Sequence, residues 1–592
     1  MLFEELCGYF ERIEATSKRL EKTEILAELL KKIEHGEVGV VINLALGQLA
    51  APYVRQQFNL AEKMLIRAIA QSVRISTEEV TTLFKSIGDM GRVVQELSSG
   101  RDKHASGRSI LELYQGLVLI ASDSGLGSQE RKQNKLVELL ASSSAIEAKY
   151  IVRMVNESLR LGFSESTMLD VLSYYASGNK DYSSRLEKVY QMRPDVALLG
   201  SEVLEKGIDG ALNSASVVLG VPLIPALAQR LGSVSEMIEK MGRVYVEPKL
   251  DGTRVQIHYS RNLNQKSEIR NQKYQEMLFE EEQPNIWVKS YTRNMDENTL
   301  QFPELMQIED EIAAESVILD AEAVGYDPET KELLPFQMTI TRKRKHGVMD
   351  ATKSIPLKFF VFDIMYLNGI SLIDKPLSER RKILETVLRP KNILLLNDQI
   401  ETENPEKIRK YHAKQLELGL EGVLVKKVNG TYDPGRAGFN WVKLKEVENA
   451  EGKLSDTIDC VVMGYYAGRG KRNSFGIGAF LVGVMAKDEQ LLTIAKIGTG
   501  LSDDQFRELY TKLHKIELSQ KPSEYVVEKM LEPDVWVRPE VVVEVAADEI
   551  TRSPSHSAKY ALRFPRLVKF REDKSVKETT KISEIEQMYE QQ

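Results

Sequence analysis

The chain has 592 residues, 42% apolar and 28% charged, with 37 glycines and 19 prolines, which allows several hydrophobic cores, roughly three or four domains, and excludes collagen-like, low-complexity and wholly disordered classes. Its 80 basic and 87 acidic residues leave a net charge of −7, so no overall basic excess announces a nucleic-acid partner, and any such partner has to be held by local clusters. Two cysteines, Cys7 and Cys460, exclude a disulfide framework and a four-cysteine zinc site and point to a reducing, intracellular compartment.

Acids at Glu4 and Glu5 stand where a signal peptide has basic residues, and no stretch of about 18 apolar residues occurs, so neither that export route nor a membrane span is predicted. Residues 1–220 contain only Pro52 and Pro194, against 17 prolines in the remaining 372, and so proline-poor a third reads as helical. Ser76 and Glu79 have capping-box spacing, with Val80, Leu83, Phe84 and Ile87 following on one helical face. Similar patterns over 132–140 and 148–161 predict a helical domain of about 200 residues. Beyond Pro222 and Pro225, β-branched and aromatic runs at 244–246, 255–259, 317–324, 359–364 and 423–425 predict strands with occasional helices. After about Val447, runs at 458–466, 479–485, 491–497 and 541–545 around one helical stretch, 503–516, suit a small barrel of the OB type. The tail from Lys574 is polar and reads as frayed.

The chemistry concentrates in the middle of the chain. Lys249 ends one strand, and Asp251-Gly252 turns the chain into a second strand that carries Arg254. Alone, this is as well read as a surface hairpin with solvated charges. Asp320 and Glu322, two apart in an apolar run, face the same way and suit a metal or ribose hydroxyls. Phe360 and Phe362 share a face that could stack on a flat ring, with core packing the competing reading for Phe360. Glu421 and Lys426 flank a short strand, and Lys443 and Lys445 share a strand face, where an intervening phosphate would offset their repulsion and a lysine-blunted sheet edge is the rival. From Arg563 to Lys577 six basic residues, Arg563, Arg566, Lys569, Arg571, Lys574 and Lys577, form a solvated surface or an anion clamp.

In this order, the segments around Lys249 to Arg254, Tyr291 to Asn294, Asp320 to Glu322, Phe360 to Asp363, Glu421 to Lys426 and Trp441 to Lys445 resemble the nucleotidyltransferase motifs of the ATP-dependent DNA ligases, and Arg563-Phe564-Pro565-Arg566 resembles the last of them. Gly88 to Gly91, Leu159 to Ser164 and Asp195 to Gly200 are similar to the DNA-binding domain of the archaeal and eukaryotic replicative type, and Leu334 to Gln337 followed by Arg342 to Lys345 matches that group too. Three departures stand out: a long stretch between His258 and Tyr291 that reads as a surface insertion, Arg436 one place earlier than the family's arginine, and Leu250 where tyrosine is common.

The resemblance implies three domains: an all-α DNA-binding domain over 1–205, an α+β nucleotidyltransferase domain over 206–447 and a β-barrel OB-fold domain over 448–592. It implies nick sealing in replication, repair and recombination by a cytoplasmic, nucleoid-associated monomer that uses ATP with Mg²⁺ or Mn²⁺, binds nicked duplex DNA and takes a sliding clamp as a further partner. Lys249 would be the nucleophile that carries AMP. Glu247 and Phe362 would border the adenine; Arg254, Arg293, Glu322, Lys426, Arg436, Lys443 and Lys445 would surround the ribose and phosphates. Glu322 and Glu421 would hold the metal. Arg563 and Arg566 would grip the outer phosphates from a moving domain. Arg160, Arg342, Lys343, Arg344 and Lys345 would contact DNA. Positive charge around Lys249 would favour its neutral amine. An RNA ligase or mRNA guanylyltransferase is the rival enzyme, though neither explains the helical third, and a non-catalytic DNA-binding scaffold is the rival of another class.

Overall fold

In the computed structural model, three helices of the first third begin where a serine is followed three residues on by glutamate. Ser76, Ser109 and Ser144 each form a capping box with Glu79, Glu112 and Glu147, and open the helices Thr77–Ile87, Ile110–Ala121 and Ala145–Val155. The last of these stops six residues short of the predicted end at Leu161 because Glu157, Arg160 and Gly162 adopt left-handed backbone, with φ of 50°, 61° and 70°. One apolar core, including Phe3, Phe10, Tyr150 and Leu172, joins the helices. Beside it lies a charged network in which buried Arg153 reaches Asp89 Oδ2 at 2.6 Å and Glu14 Oε2 at 2.9 Å.

The structure describes residues 1–54, 56–99, 106–231, 233–261, 286–330, 332–334, 355–389, 391–435, 438–444, 457–468, 472, 475–486, 488–498 and 501–591. They fall into two units, Met1–Lys445 and Glu446–Gln592.

Following the helices, the first unit builds two sheets. One takes β1 (Val244–Pro248), β8 (Ile400–Thr402), β9 (Val423–Lys427) and β10 (Trp441–Leu444) in the order β10-β9-β1-β8. The other takes β2 (Thr253–Ser260), β3 (Trp287–Thr292), β4 (Ser316–Gly325), β5 (Leu357–Leu367) and β6 (Ile370–Ser371) in the order β3-β2-β4-β5-β6, with β7 (Leu394–Leu396) parallel to β5. Alternation sorts each strand. Val255, Ile257, Leu319, Ala321, Phe359 and Val361 enter one core, while Arg254, Gln256, His258, Asp320 and Glu322 take the other face. In the smaller sheet Val244, Val246, Val425 and Val442 pack with the helix Val234–Met241, so Glu247, Lys426 and Trp441 lie on the opposite side.

β5 departs from simple alternation. Its pairing with β4 skips Phe362 between Val361 and Asp363, and Met365 between Ile364 and Tyr366. These bulges let the strand contribute extra residues to the polar face without losing Val361 and Ile364 from the core.

The second unit is strand-rich, with Ile458–Ala467, Ile477–Met485, Leu491–Ile497 and Val542–Ala546 close to expectation and the helix Asp503–His514 among them. The expected frayed tail is instead ordered: Thr580 exchanges hydrogen bonds with the Asp459 backbone at 3.0 Å, and the helix Ile582–Gln591 buries Ile585 completely. A run of polar residues hid a helix whose few apolar positions, Ile582, Ile585 and Met588, all meet the core.

Candidate active site

Lys249 follows β1, where its N–H donates to Gly422 O at 2.9 Å. Gly422 has φ of 126°, a conformation that only glycine adopts readily. At the other side of the turn, a Cβ on Gly252 would lie 2.5 Å from Ala323 O and 2.9 Å from Glu322 Cγ, so glycine lets the loop that carries Lys249 lie directly against β4. The Lys249 amine rests on Glu421 Oε2. The immediate neighbour of the amine is therefore a carboxylate, whereas the expectation from sequence placed cations around it.

Arg254 lies across the polar faces of both sheets. It forms a two-point pair with Asp320, Nε–Oδ1 3.0 Å and Nη2–Oδ2 2.6 Å, donates to Ala226 O at 2.5 Å, and stands 5.5 Å from the Phe362 ring and 5.3 Å from the Trp441 ring. Tyr432 links these groups: its hydroxyl donates to Asp320 Oδ2 at 2.8 Å and accepts from Ala226 N at 3.2 Å. Gln256 accepts from Leu223 N at 2.8 Å and His258 Nδ1 accepts from Gly220 N at 3.0 Å, so the segment 220–226 is stitched along β2 up to Arg254. Burial, with Asp320 and Asp251 adding to it, pushes the half-buried Glu322 carboxyl up to about 8 despite Arg254 and Lys249 nearby.

Glu247 is buried beside them, with Lys426 Nζ 2.7 Å from its Oε2 and Asn397 Nδ2 donating to the same oxygen at 3.0 Å. Lys426 Nζ is also 4.3 Å from the ring centres of Phe362 and of Trp441. Burial raises the Glu247 carboxyl above its ordinary range while the Lys426 ammonium opposes the rise.

The structure thus brings together Glu247, Lys249, Arg254, Glu322, Phe362, Glu421 and Lys426, with half-buried Lys443 on β10 beside them. Arg293 is exposed in the turn after β3. Arg160 donates to Gly88 O at 2.8 Å and lies 3.7 Å from Asp89, so its first partners are within the protein rather than outside it. Arg563 and Arg566 lie in the second unit, paired with Glu549 at 2.6 Å and Asp548 at 3.0 Å. Arg436, Lys445, Arg342, Lys343, Arg344, Lys345 and most of the insertion after His258 lie outside the described residues. Asn397, Tyr432 and Arg380 were not singled out from sequence. Asn397 offers only the weak signal of an amide ending an apolar run, and Arg380 sits among Glu379, Arg381 and Lys382 like any surface charge.

Three stretches match known families: residues 2–173 the family described as "DNA ligase N terminus", 225–445 "ATP dependent DNA ligase domain" and 473–574 "ATP dependent DNA ligase C terminal region". A "Probable DNA ligase" of Dictyoglomus turgidum is 37% identical over 100% of this chain and 97% of its own. A "DNA ligase" of Sulfurisphaera tokodaii is 32% identical over 100% of this chain and 97% of its own. The solved structure described as "Pmar-Lig_PreS3" is alike in fold, with a TM-score of 0.53 over 96% of this chain and 99% of its own at 16% identity.

Proposed function

The chain belongs to the ATP-dependent DNA ligases, enzymes that form phosphodiester bonds in DNA, and from that premise we propose that it seals nicks through three transfers that begin on Lys249. The Lys249 amine attacks the α-phosphorus of ATP, forming a P–N bond as the bond to pyrophosphate breaks, and its proton passes to solvent. AMP then moves to the 5′-phosphate of the nick, freeing Lys249. The 3′-hydroxyl attacks that activated phosphate, closing the strand and releasing AMP. The observation that carries this reading is the position of Lys249 against Glu421, in one cluster with Glu247, Arg254, Glu322 and Phe362.

Arg254, locked by Asp320, is suited to orient the ribose and phosphates, and Phe362 and Glu247 to border the base. Lys443, with Lys445, adds positive charge for the phosphoryl oxygens. Glu322 and Glu421 fit a divalent cation: burial disfavours the charged form of Glu322, which a bound cation would offset, and Glu421 already binds a cation in the Lys249 ammonium. Held by these two carboxylates, Mg²⁺ or Mn²⁺ would supply charge neutralisation at the α-phosphate. The helical region grips the duplex through phosphates without reading sequence, and the C-terminal region, read as an OB-type barrel, brings Arg563 and Arg566 to the outer phosphates for the first step.

ATP labelled on the α-phosphate should leave label on the denatured protein when a divalent cation is present, and none on Lys249→Ala. Equal label on both proteins would sink the reading. The rival RNA ligase or guanylyltransferase activity would show as a preference for RNA duplexes or GTP, and full-length similarity to DNA ligases does not favour it.

A further inference from the structure

Asn397 stands where the chain passes from one sheet to the other. β7 runs beside β5 with Leu396 opposite Val361, and the Asn397 N–H donates to Val361 O at 2.9 Å. Immediately afterwards β8 joins β1, with Ile400 opposite Val246. The residue is therefore next to the bulged Phe362 on one side and bonded to Glu247 on the other.

Asn397, Glu247 and Lys426 are 3%, 1% and 0% exposed. Among the described residues, however, Asn397 Oδ1 and Glu247 Oε1 have no hydrogen-bond partner, and Lys426 Nζ makes its 2.7 Å ion contact without a hydrogen bond. Buried acceptors left unpaired are costly, and two on adjoining side chains call for a ligand with two N–H donors. An exocyclic amino group has them; a carbonyl oxygen in its place would face two acceptors and be repelled. Lys426 adds a donor for a neighbouring ring nitrogen, and the Phe362 ring lies 4.3 Å from that ammonium.

We propose that Asn397 acts with Glu247 as the specificity edge of the nucleotide pocket, the two acceptors holding the 6-amino group of the base and selecting a 6-aminopurine nucleotide over 6-oxopurines. This rests on the reading of Glu247 and Phe362 as the base pocket. Asn397 is a specificity residue rather than a catalytic one, because the base takes no part in the bond changes at phosphorus.

The test compares three α-labelled nucleotides, ATP, ITP (6-oxo) and purine riboside triphosphate (6-hydrogen), in labelling of the wild-type chain and of Asn397→Leu. Wild type should lose at least about tenfold in kcat/KM from ATP to the 6-hydrogen analogue, and more to ITP. Asn397→Leu should lose about tenfold with ATP while keeping the wild-type rate with the 6-hydrogen analogue, a selective loss that a merely structural role would not produce. If wild type uses ATP and the 6-hydrogen analogue equally, as it would if a buried water filled the gap, or if Asn397→Leu depresses all three nucleotides alike, the proposal is overturned. Should Asn397→Leu lose its melting transition, Asn397→Ala carries the same comparison. Absence of label with all three nucleotides would overturn the lysyl-AMP reading itself, and this proposal with it.

Discussion

Arg380 and Asp363 form a fully buried pair, Nε–Oδ1 2.8 Å and Nη2–Oδ2 2.9 Å, and Arg380 Nη1 also donates to Lys375 O at 2.5 Å. The pair anchors β5 one residue beyond Phe362, so its value to the site is positional. Arg380→Met should cost about 3–5 kcal/mol in urea unfolding, because it strands a buried carboxylate, while Arg380→Met with Asp363→Leu should recover part of the loss. Gly252→Ala acts on the site more directly. The new methyl would press on Ala323 O, and moving the Lys249 loop off β4 should slow lysyl-AMP formation at least about tenfold at a cost in stability of about 1–3 kcal/mol; unchanged labelling would show that the close approach is not needed. His258 carries the pH dependence. It is buried, pushed down from 6.5 to about 3, and accepts from Gly220 N, so the folded protein keeps it neutral where the unfolded chain takes up a proton. Its contribution is full above pH 6.5 and is lost as pH falls towards 3, by about 1.4 kcal/mol per unit. Unfolding midpoints between pH 7 and 5 should fall more steeply for wild type than for His258→Gln, and parallel curves would contradict the assignment.

Among the elements, the C-terminal helix Ile582–Gln591 gives the sharpest contrast between pattern and packing. A frayed tail would tolerate truncation of its side chains, whereas Ile585, with no exposed surface, should cost about 2–5 kcal/mol as alanine. Thermal melting that leaves Ile585→Ala unchanged would restore the frayed reading. β5 makes the complementary point. Strict alternation cannot put Phe362, Asp363 and Tyr366 on one face, yet two bulges do so while the opposite face stays apolar. The segment 220–226 has almost no secondary structure but is held by the side chains of β2, which makes a connecting stretch part of the wall behind Arg254.

For the molecule as a whole, the charge balance is local. All six basic residues from Arg563 to Lys577 are paired with acids of their own unit: Glu549, Asp548, Glu544, Asp459 and Glu489 serve Arg563, Arg566, Lys569, Arg571, Lys574 and Lys577. The side chains of Arg563 and Arg566 remain 45% and 54% exposed, and ion pairs so open to water are worth about 0–1 kcal/mol, so exchanging a carboxylate for a phosphate costs little. Arg563→Ala with Arg566→Ala should therefore slow lysyl-AMP formation at least about tenfold while leaving the sealing of pre-adenylated nicks within about threefold. Equal losses in both assays would remove the proposed division of labour between the steps.

Local signals in the sequence were enough for the capped helices, the strand pair around Lys249 and the shared face of Asp320 and Glu322, because capping, turn formation and alternation are decided within a few residues. The ordered motifs were also enough to name the family. Its net charge and cysteine count served only to exclude. What the tertiary structure alone decided is which groups meet across distance: Glu421 on Lys249, Tyr432 on Asp320, Arg380 on Asp363, and Asn397 on Glu247, pairs separated by 172, 112, 17 and 150 residues. Burial then sets their charge state and their need for partners, and burial is a property of the packed molecule that no short window of sequence contains.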